Sequence, residues 1–298
     1  MTSLRSRVAR PHVTSLRGRV ARHGLNVFAG IGLIYLFLPI FFIVLFSFNS
    51  PRGNFNIVWQ GFTLDNWLNP FSESSLTKAL WTSLRISAIA TVISTILGSM
   101  IALALSRRKF FGSSAINLLL VLPLTTPEIV LGSSLATLFL GQTFVKFGAV
   151  TIVIAHVMFQ VSFVALTVRA RIRGFDWTLE QAAADLGATP WRTFRLVTFP
   201  LIVPGVLAAA LLAFALSIDD FIITFFNAGS TVTFPLQIYG AARVRIPPQI
   251  NVLASLVLFA SVALLVFGTL RGRKAPDVSK RRIPGVMRTS LRRRPAAE

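Results

Sequence analysis

The chain has 298 residues, 54% of them hydrophobic and only 13% charged, against about 25% charged in an ordinary soluble protein. This excludes a soluble globular domain, a disordered chain and a collagen-like fibre, and it leaves room for about five to seven bilayer spans of roughly 20 residues each. With no cysteine there are no disulfides or thiolate metal sites, so the placement of the residues behind the net charge of +20 becomes the informative feature.

Residues 1–23 form a basic tail in which Thr2-Ser3-Leu4-Arg5 recurs as Thr14-Ser15-Leu16-Arg17. It is an orientation signal or a basic amphipathic helix on anionic lipid. The membrane domain occupies 24–270. Its first predicted span runs over about 25–48. The second, 86–106, carries Gly98 and Ala102 four residues apart, small enough for close helix packing. The third, about 114–140, is uncharged apart from Glu128 and is broken near Pro123 and Pro127. The fourth, 147–168, contains His156, expected to hydrogen-bond a neighbouring helix. The fifth is 196–218 and the sixth 246–270. Residues 221–242 are also uncharged and long enough to cross. They hold Asn227-Ala228-Gly229-Ser230, Thr231, Thr233 and Pro235, which are turn signals, and so predict an extracytoplasmic connection with a short helix. A basic tail, 271–298, ends the sequence.

Charge placement then sets the topology. Six arginines from Arg5 to Arg22, the group Arg107-Arg108-Lys109, the group Arg169, Arg171, Arg173, Arg192 and Arg195, and the tail from Arg271 to Arg294 share one side of a six-span arrangement. Arg52, Lys78, Lys146, Arg243 and Arg245 fall on the other. The positive-inside rule places both termini in the cytoplasm. A seventh crossing at 221–242 would put the C-terminal tail outside. The expected fold is an all-α polytopic membrane protein with six transmembrane helices.

No GxxxxGK[ST], HExxH or GxSxG motif is present, so no ATP hydrolysis, cofactor or metal site is expected in this chain. Lys280-Arg281-Arg282 and Arg292-Arg293-Arg294 lack a folded nucleic-acid module and read as a solvated, membrane-proximal tail, with no nucleic acid as partner.

The longest cytoplasmic loop joins the fourth and fifth spans. Thr178 or Asp176 can cap a short helix there. Leu179, Ala182, Ala183 and Leu186 recur at i, i+3, i+4 and i+7 on one face. Gly187 can end the helix in a left-handed conformation, and Thr189-Pro190 can open another. The pattern predicts two short helices at a sharp angle, forming a knob for a partner's cleft or a connector on the lipid headgroups.

This loop resembles the EAA loop of permease subunits of binding-protein-dependent ABC importers, whose pattern is E-A-A-xxx-G, then I-x-L-P. Aligned on Gly187, the chain offers Gln181-Ala182-Ala183, Val197, Phe199 and Pro200 with the spacing intact. The family's glutamate position holds Gln181. Glu180 precedes it, about 100° away round a helix, and is not a direct substitute. Over about 25–270, segments such as Leu122-Pro123-Leu124-Thr125-Thr126-Pro127-Glu128 and Ser217-Ile218-Asp219-Asp220-Phe221 are similar to the second permease of spermidine/putrescine importers. The resemblance implies a non-enzymatic transport subunit of the bacterial inner membrane carrying a polyamine or similar small solute. It implies four kinds of neighbour: a homologous permease subunit, two ATP-binding subunits that bind the ATP, a periplasmic solute-binding protein, and membrane lipid. It also implies that Glu180, Gln181, Ala182, Ala183, Asp185, Gly187 and Pro200 belong to a coupling-helix loop between helices 4 and 5, facing the ATPase.

Glu128, Asp219 and Asp220 are the only carboxylates at or beside predicted spans, where ionisable groups usually face a cavity or a bundle interior. They are candidates for a cation path. The alternative is pairing with Arg243, Arg245, Arg85 or Lys146 to hold the outer connection. A further alternative is a self-sufficient carrier or channel with Glu128 and Asp219 as its ion site.

Overall fold

A computed structural model describes residues 16–107, 110–141 and 145–272. The basic repeat before residue 16, Arg108, Lys109 and the tail beyond 272 lie outside the described residues. Among those described, the backbone is helical, with two isolated bridges, Asn49 to Phe62 and Phe55 to Ile246, and no strand.

Helix α1 (Leu16–Phe46) has 31 residues, and between Gly24 and Phe46 none is buried. An apolar helix exposed on every side belongs in lipid or against another protein. Its end is tied down by a polar and aromatic knot around α2 (Asp65–Leu68). Asn49 Nδ2 donates to Asn56 Oδ1 at 2.7 Å and to the Val58 carbonyl at 2.8 Å, while Phe48 stacks on Phe62 and Trp67 at 5.6 and 5.4 Å.

Helix α3 (Ser74–Arg107) buries a stripe of mostly small residues: Ala79, Ser83, Ser87, Ala90, Ser94, Gly98 and Ala102. Helices α4 (Ser113–Thr125) and α5 (Glu128–Leu140) follow, and then α6 (Ala149–Ile172), the most buried of the long apolar helices. The small stripe lets α3 lie against α6. A Cβ on Gly98 would stand 2.6 Å from Val164 Cγ1 and 3.0 Å from the Ala165 amide nitrogen, so only glycine permits this approach. Ser94 adds a buried hydrogen bond of 3.0 Å to Gln160 Oε1.

A loop containing α7 (Thr178–Asp185) and α8 (Pro190–Thr193) leads through a π-helical turn (Phe194–Thr198) into α9 (Phe199–Ile218). Ala102 of α3, Val164, Val168 and Ile172 of α6, and Ile202, Ala209 and Ala213 of α9 form one buried cluster. These three helices are the frame on which everything else hangs. Short helices α10 (Ile222–Asn227) and α11 (Phe234–Ala241) precede α12 (Pro248–Gly272). Leu76 and Leu80 of α3, Phe234 of α11, and Ile250 and Leu253 of α12 make a second cluster. The chain divides into two units, one ending at Leu258 and one beginning at Phe259; of the second, the described part is the distal portion of α12.

Among the described residues, four helical stretches are long and apolar enough to cross a membrane: Gly24–Phe46, Ser74–Arg107, Ala149–Ile172 and Pro190–Ile218. The third predicted span is broken near its prolines, as expected, but more sharply than a simple kink. It consists of two 13-residue helices, α4 and α5, bent by 111° at Thr126-Pro127. Each half is about 20 Å long, too short for a hydrocarbon core of about 30 Å. Pro127 has no amide hydrogen and forces extended backbone at Thr126 (ψ 129°), which breaks the helix there.

The 221–242 connection differs from expectation. It forms two short helices, and α10 is no peripheral segment. Ile223, Thr224 and Asn227 are fully buried, and Ile223 packs with Leu135, Phe139, Ala155 and Phe159. Asn227, which read as a loop signal, instead hydrogen-bonds inside the protein through its amide group and its carbonyl. Asn227 Nδ2 donates to the Gly132 and Ile223 carbonyls at 3.2 and 2.8 Å, and Thr151 Oγ1 donates to the Asn227 carbonyl at 2.7 Å.

Candidate functional site

Two groups of predicted residues occupy separate places in the fold. The first is the loop between α6 and α9. Asp176 caps α7, not Thr178: its Oδ1 accepts from the Thr178 hydroxyl at 2.8 Å and the Thr178 amide at 3.0 Å. The hydroxyl bond, helped by the amide, stabilises the carboxylate and holds its pKa below the ordinary value. Gly187 takes a φ of 79°, and its amide bonds the Ala184 carbonyl at 2.8 Å while the Ala188 amide bonds Ala183 at 3.0 Å. This is a Schellman ending, which closes α7 sharply. Thr189 Oγ1 then accepts from the Arg192 amide at 3.4 Å, with Pro190 opening α8.

No residue of α7 is buried. Leu179, Gln181, Ala182 and Asp185 are exposed, Ala183 is half-buried, and Leu186 and Trp191 are 89% and 69% exposed. The loop therefore presents an apolar surface that the rest of this chain leaves uncovered. Its base is anchored. Phe175 and Trp177 meet edge to face, with centroids 4.7 Å apart, and pack on the α3–α6–α9 cluster. Glu180 points back toward the bundle, where its Oε1 accepts from Arg107 Nη2 at 2.7 Å and from the Thr198 hydroxyl. Pro200 lies in the first turn of α9 and is exposed.

The second group is acidic. Glu128 begins α5 at the bend and is exposed; Asp219 ends α9 and is exposed. Asp220 is 6% exposed. The three lie within electrostatic reach of one another. The pairing expected as their alternative is not found for Asp220, whose partner is His156. His156 Nε2 lies 3.1 Å from Asp220 Oδ2 and 2.9 Å from Thr224 Oγ1, and Nδ1 lies 2.7 Å from Ser217 Oγ. Thr224 also gives Asp220 Oδ2 its amide and hydroxyl, both at 2.8 Å. Arg245 instead pairs with Glu73 at 2.9 Å, and Arg243 stacks 4.6 Å above the Tyr239 ring. These arginines lie beyond α11 and have acidic and aromatic partners close by, whereas Asp220 is enclosed between α6 and α10.

Sequence reasoning found His156 as a helix–helix bond but did not join it to Asp220. The signal was present: an intramembrane histidine and an acid in one chain each need a partner.

Residues 94–273 match the model of the family described as the binding-protein-dependent transport system inner membrane component. The chain belongs to this family. It is 33% identical over 250 residues to the spermidine/putrescine transport system permease protein PotC of Haemophilus influenzae, covering 84% of this chain and 96% of that one. It is 35% identical over 237 residues to the putrescine transport system permease protein PotI of Escherichia coli strain K12, covering 77% and 84% respectively. Among solved structures, a bacterial ABC transporter involved in alginate import superposes with a TM-score of 0.62 at 16% identity, covering 87% of this chain and 99% of that one. An amino acid ABC transporter superposes with a TM-score of 0.55 at 17% identity, covering 72% and 99%. These two show a shared fold. The chain is thus an all-α, multi-span membrane protein of a binding-protein-dependent importer family, whose matched relatives are transport permeases. The matched region includes α4 to α12, and so contains both groups of candidate residues, Glu128 among them.

Proposed function

We propose that this chain is the permease subunit of an ATP-driven importer, carrying a polyamine such as putrescine or spermidine across the inner membrane without changing it chemically. The observation that carries this reading is the loop 178–193: a short helix with an uncovered apolar surface, closed by Gly187 and rooted in the three-helix frame. Such a knob suits a cleft in another protein, and a sequence without a phosphate-binding loop motif supports the reading that the ATP is bound by that other protein. A homologous permease, two ATP-binding subunits and a periplasmic binding protein complete the assembly. Six spans, with α4–α5 as a broken one and α12 as the last, put both termini and the loop on the cytoplasmic side.

In this mechanism the binding protein delivers solute to the outer face, the ATPases close on ATP, and their motion reaches α3, α6 and α9 through the loop. Glu128 and Asp219, exposed near the α4–α5 bend and the end of α9, attract a cationic solute toward the path. Asp220 is already committed to His156 and Thr224 and serves to hold α10 in place.

The test is reconstitution in vesicles with the partner permease, ATPase and binding protein loaded with radiolabelled putrescine. Uptake should require ATP and the ATPase subunit. Uptake by this chain alone, driven by an ion gradient, would instead establish a self-sufficient carrier using Glu128 and Asp219.

A further inference from the structure

Glu180 stands beside the family's glutamate position, yet its side chain is turned away from the loop's exposed surface. Its Oε1 receives Arg107 Nη2, from the last residue of α3, at 2.7 Å, and the hydroxyl of Thr198, from the last residue of the π-helical turn. Thr198 is 1% exposed. The Arg107 guanidinium also lies over the Trp177 ring, 5.7 Å from its centroid, and Trp177 packs on the buried cluster. One carboxylate oxygen therefore joins α7 to the ends of two long helices that are far apart in sequence.

We propose that Glu180 is a positioning residue that clamps α7 to α3 and α9, so that displacement of the loop moves both helices together. This deepens the reading of the loop as the ATPase-driven element and rests on it. An isolated exposed ion pair would be worth little. Here the pair is extended by a hydrogen bond donated by the buried Thr198 hydroxyl and by a cation–π contact, and it has a mechanical consequence. With no buried residue of its own, α7 is otherwise held by the turn before Asp176 and by the single left-handed glycine after it. Without the clamp, a push on Leu186 or Ala182 would be absorbed by rotation at these two joints. With it, the push arrives at Arg107 and Thr198, one at the C-terminus of α3 and the other at the entry to α9. The π-turn favours this role, since such turns mark places where a helix is locally adapted for function.

The experiment uses the complete transporter in lipid nanodiscs, followed by hydrogen exchange with and without ATP–vanadate trapping. Glu180→Ala should accelerate exchange over 179–184 by about fivefold or more in the resting state. In wild type, trapping should change exchange both in α7 and in the last turn of α3. In Glu180→Ala, the change in α7 should persist and that in α3 should disappear. Glu180→Gln, which keeps a side-chain oxygen to accept from Arg107 and Thr198 and leaves Arg107 over Trp177, should retain the α3 response. Equal resting exchange in Glu180→Ala, an undiminished α3 response there, or loss of that response in Glu180→Gln would each overturn the clamp. Absence of any trapping response at α7 in wild type would overturn the loop's role itself, and the clamp with it.

Discussion

Asp220 and Glu180 each accept hydrogen bonds from two other elements, but at opposite depths. Asp220 is 6% exposed, closed in by His156 of α6 and Thr224 of α10. Glu180 sits at the protein's edge, 19% exposed, and ties α7 to Arg107 and Thr198. Deep in the bundle a charge must be fully satisfied, so its partners are fixed and its role is to hold a fold element. At the edge, water can substitute for a lost partner, so the bond costs little to open and suits a part that moves. The difference separates what builds the frame from what transmits motion.

Breaking the deep site should have the largest effect. His156→Leu leaves Asp220, Ser217 and Thr224 without their common partner and should destabilise the protein by about 3–5 kcal/mol, seen as lost folded yield and a lower melting temperature in detergent. His156→Leu with Asp220→Leu should recover much of this, because a buried pair replaced by apolar groups is often tolerated. Next is Gly98→Val, whose Cβ would meet Val164 at 2.6 Å. It should cost about 1–3 kcal/mol by overpacking α3 against α6, measured by the same melting experiment.

The exposed acids sharpen the comparison from the other side. Asp219→Asn and Glu128→Gln should each raise the apparent KM for putrescine by roughly three- to tenfold, the order expected of one screened charge. Neither should shift stability by more than about 0.5 kcal/mol. Normal uptake by both variants would remove these residues from the path. The smallest effect belongs to the cap of α7. The Asp176 carboxylate has a lowered folded pKa, so its contribution to α7 is present above the ordinary aspartate pKa and is lost as pH falls through the lowered value. Asp176→Ala should therefore fray the first turn of α7 at neutral pH, read as faster amide exchange at Leu179 and Glu180. Wild type should match it only in acid.

Much of this was legible in residue type and spacing. Gly187 and Thr189-Pro190 fix the knob through local backbone preferences, and Gly98 with Ala102 marks the close approach of α3. Long apolar runs locate α6, α9 and α12 to within a few residues, whereas α3 begins at Ser74, well before the predicted start at 86. What the sequence did not reveal were contacts between distant segments. Asn227-Ala228-Gly229-Ser230 does turn, with Gly229 at a φ of 55°, yet α10 is buried, with Asn227 bonded to Gly132 and Thr151 far away in sequence. Likewise Asp220 finds His156, and Glu180 finds Arg107, across 64 and 73 residues. Pro123 and Pro127 signalled a break in the third span, and Pro127 makes it; that α5 then packs against α10 is a contact no local rule encodes.

The most direct measurement is site-specific photocrosslinking from Leu186, the most exposed residue of the loop's apolar surface, in native membranes. A photoreactive amino acid at that position should capture the ATP-binding subunit, with yield changing on ATP trapping. A crosslinker at Leu36 on α1 should not capture it. Capture from Leu186 only of lipid, with the chain correctly inserted and the ATPase present, would contradict the account.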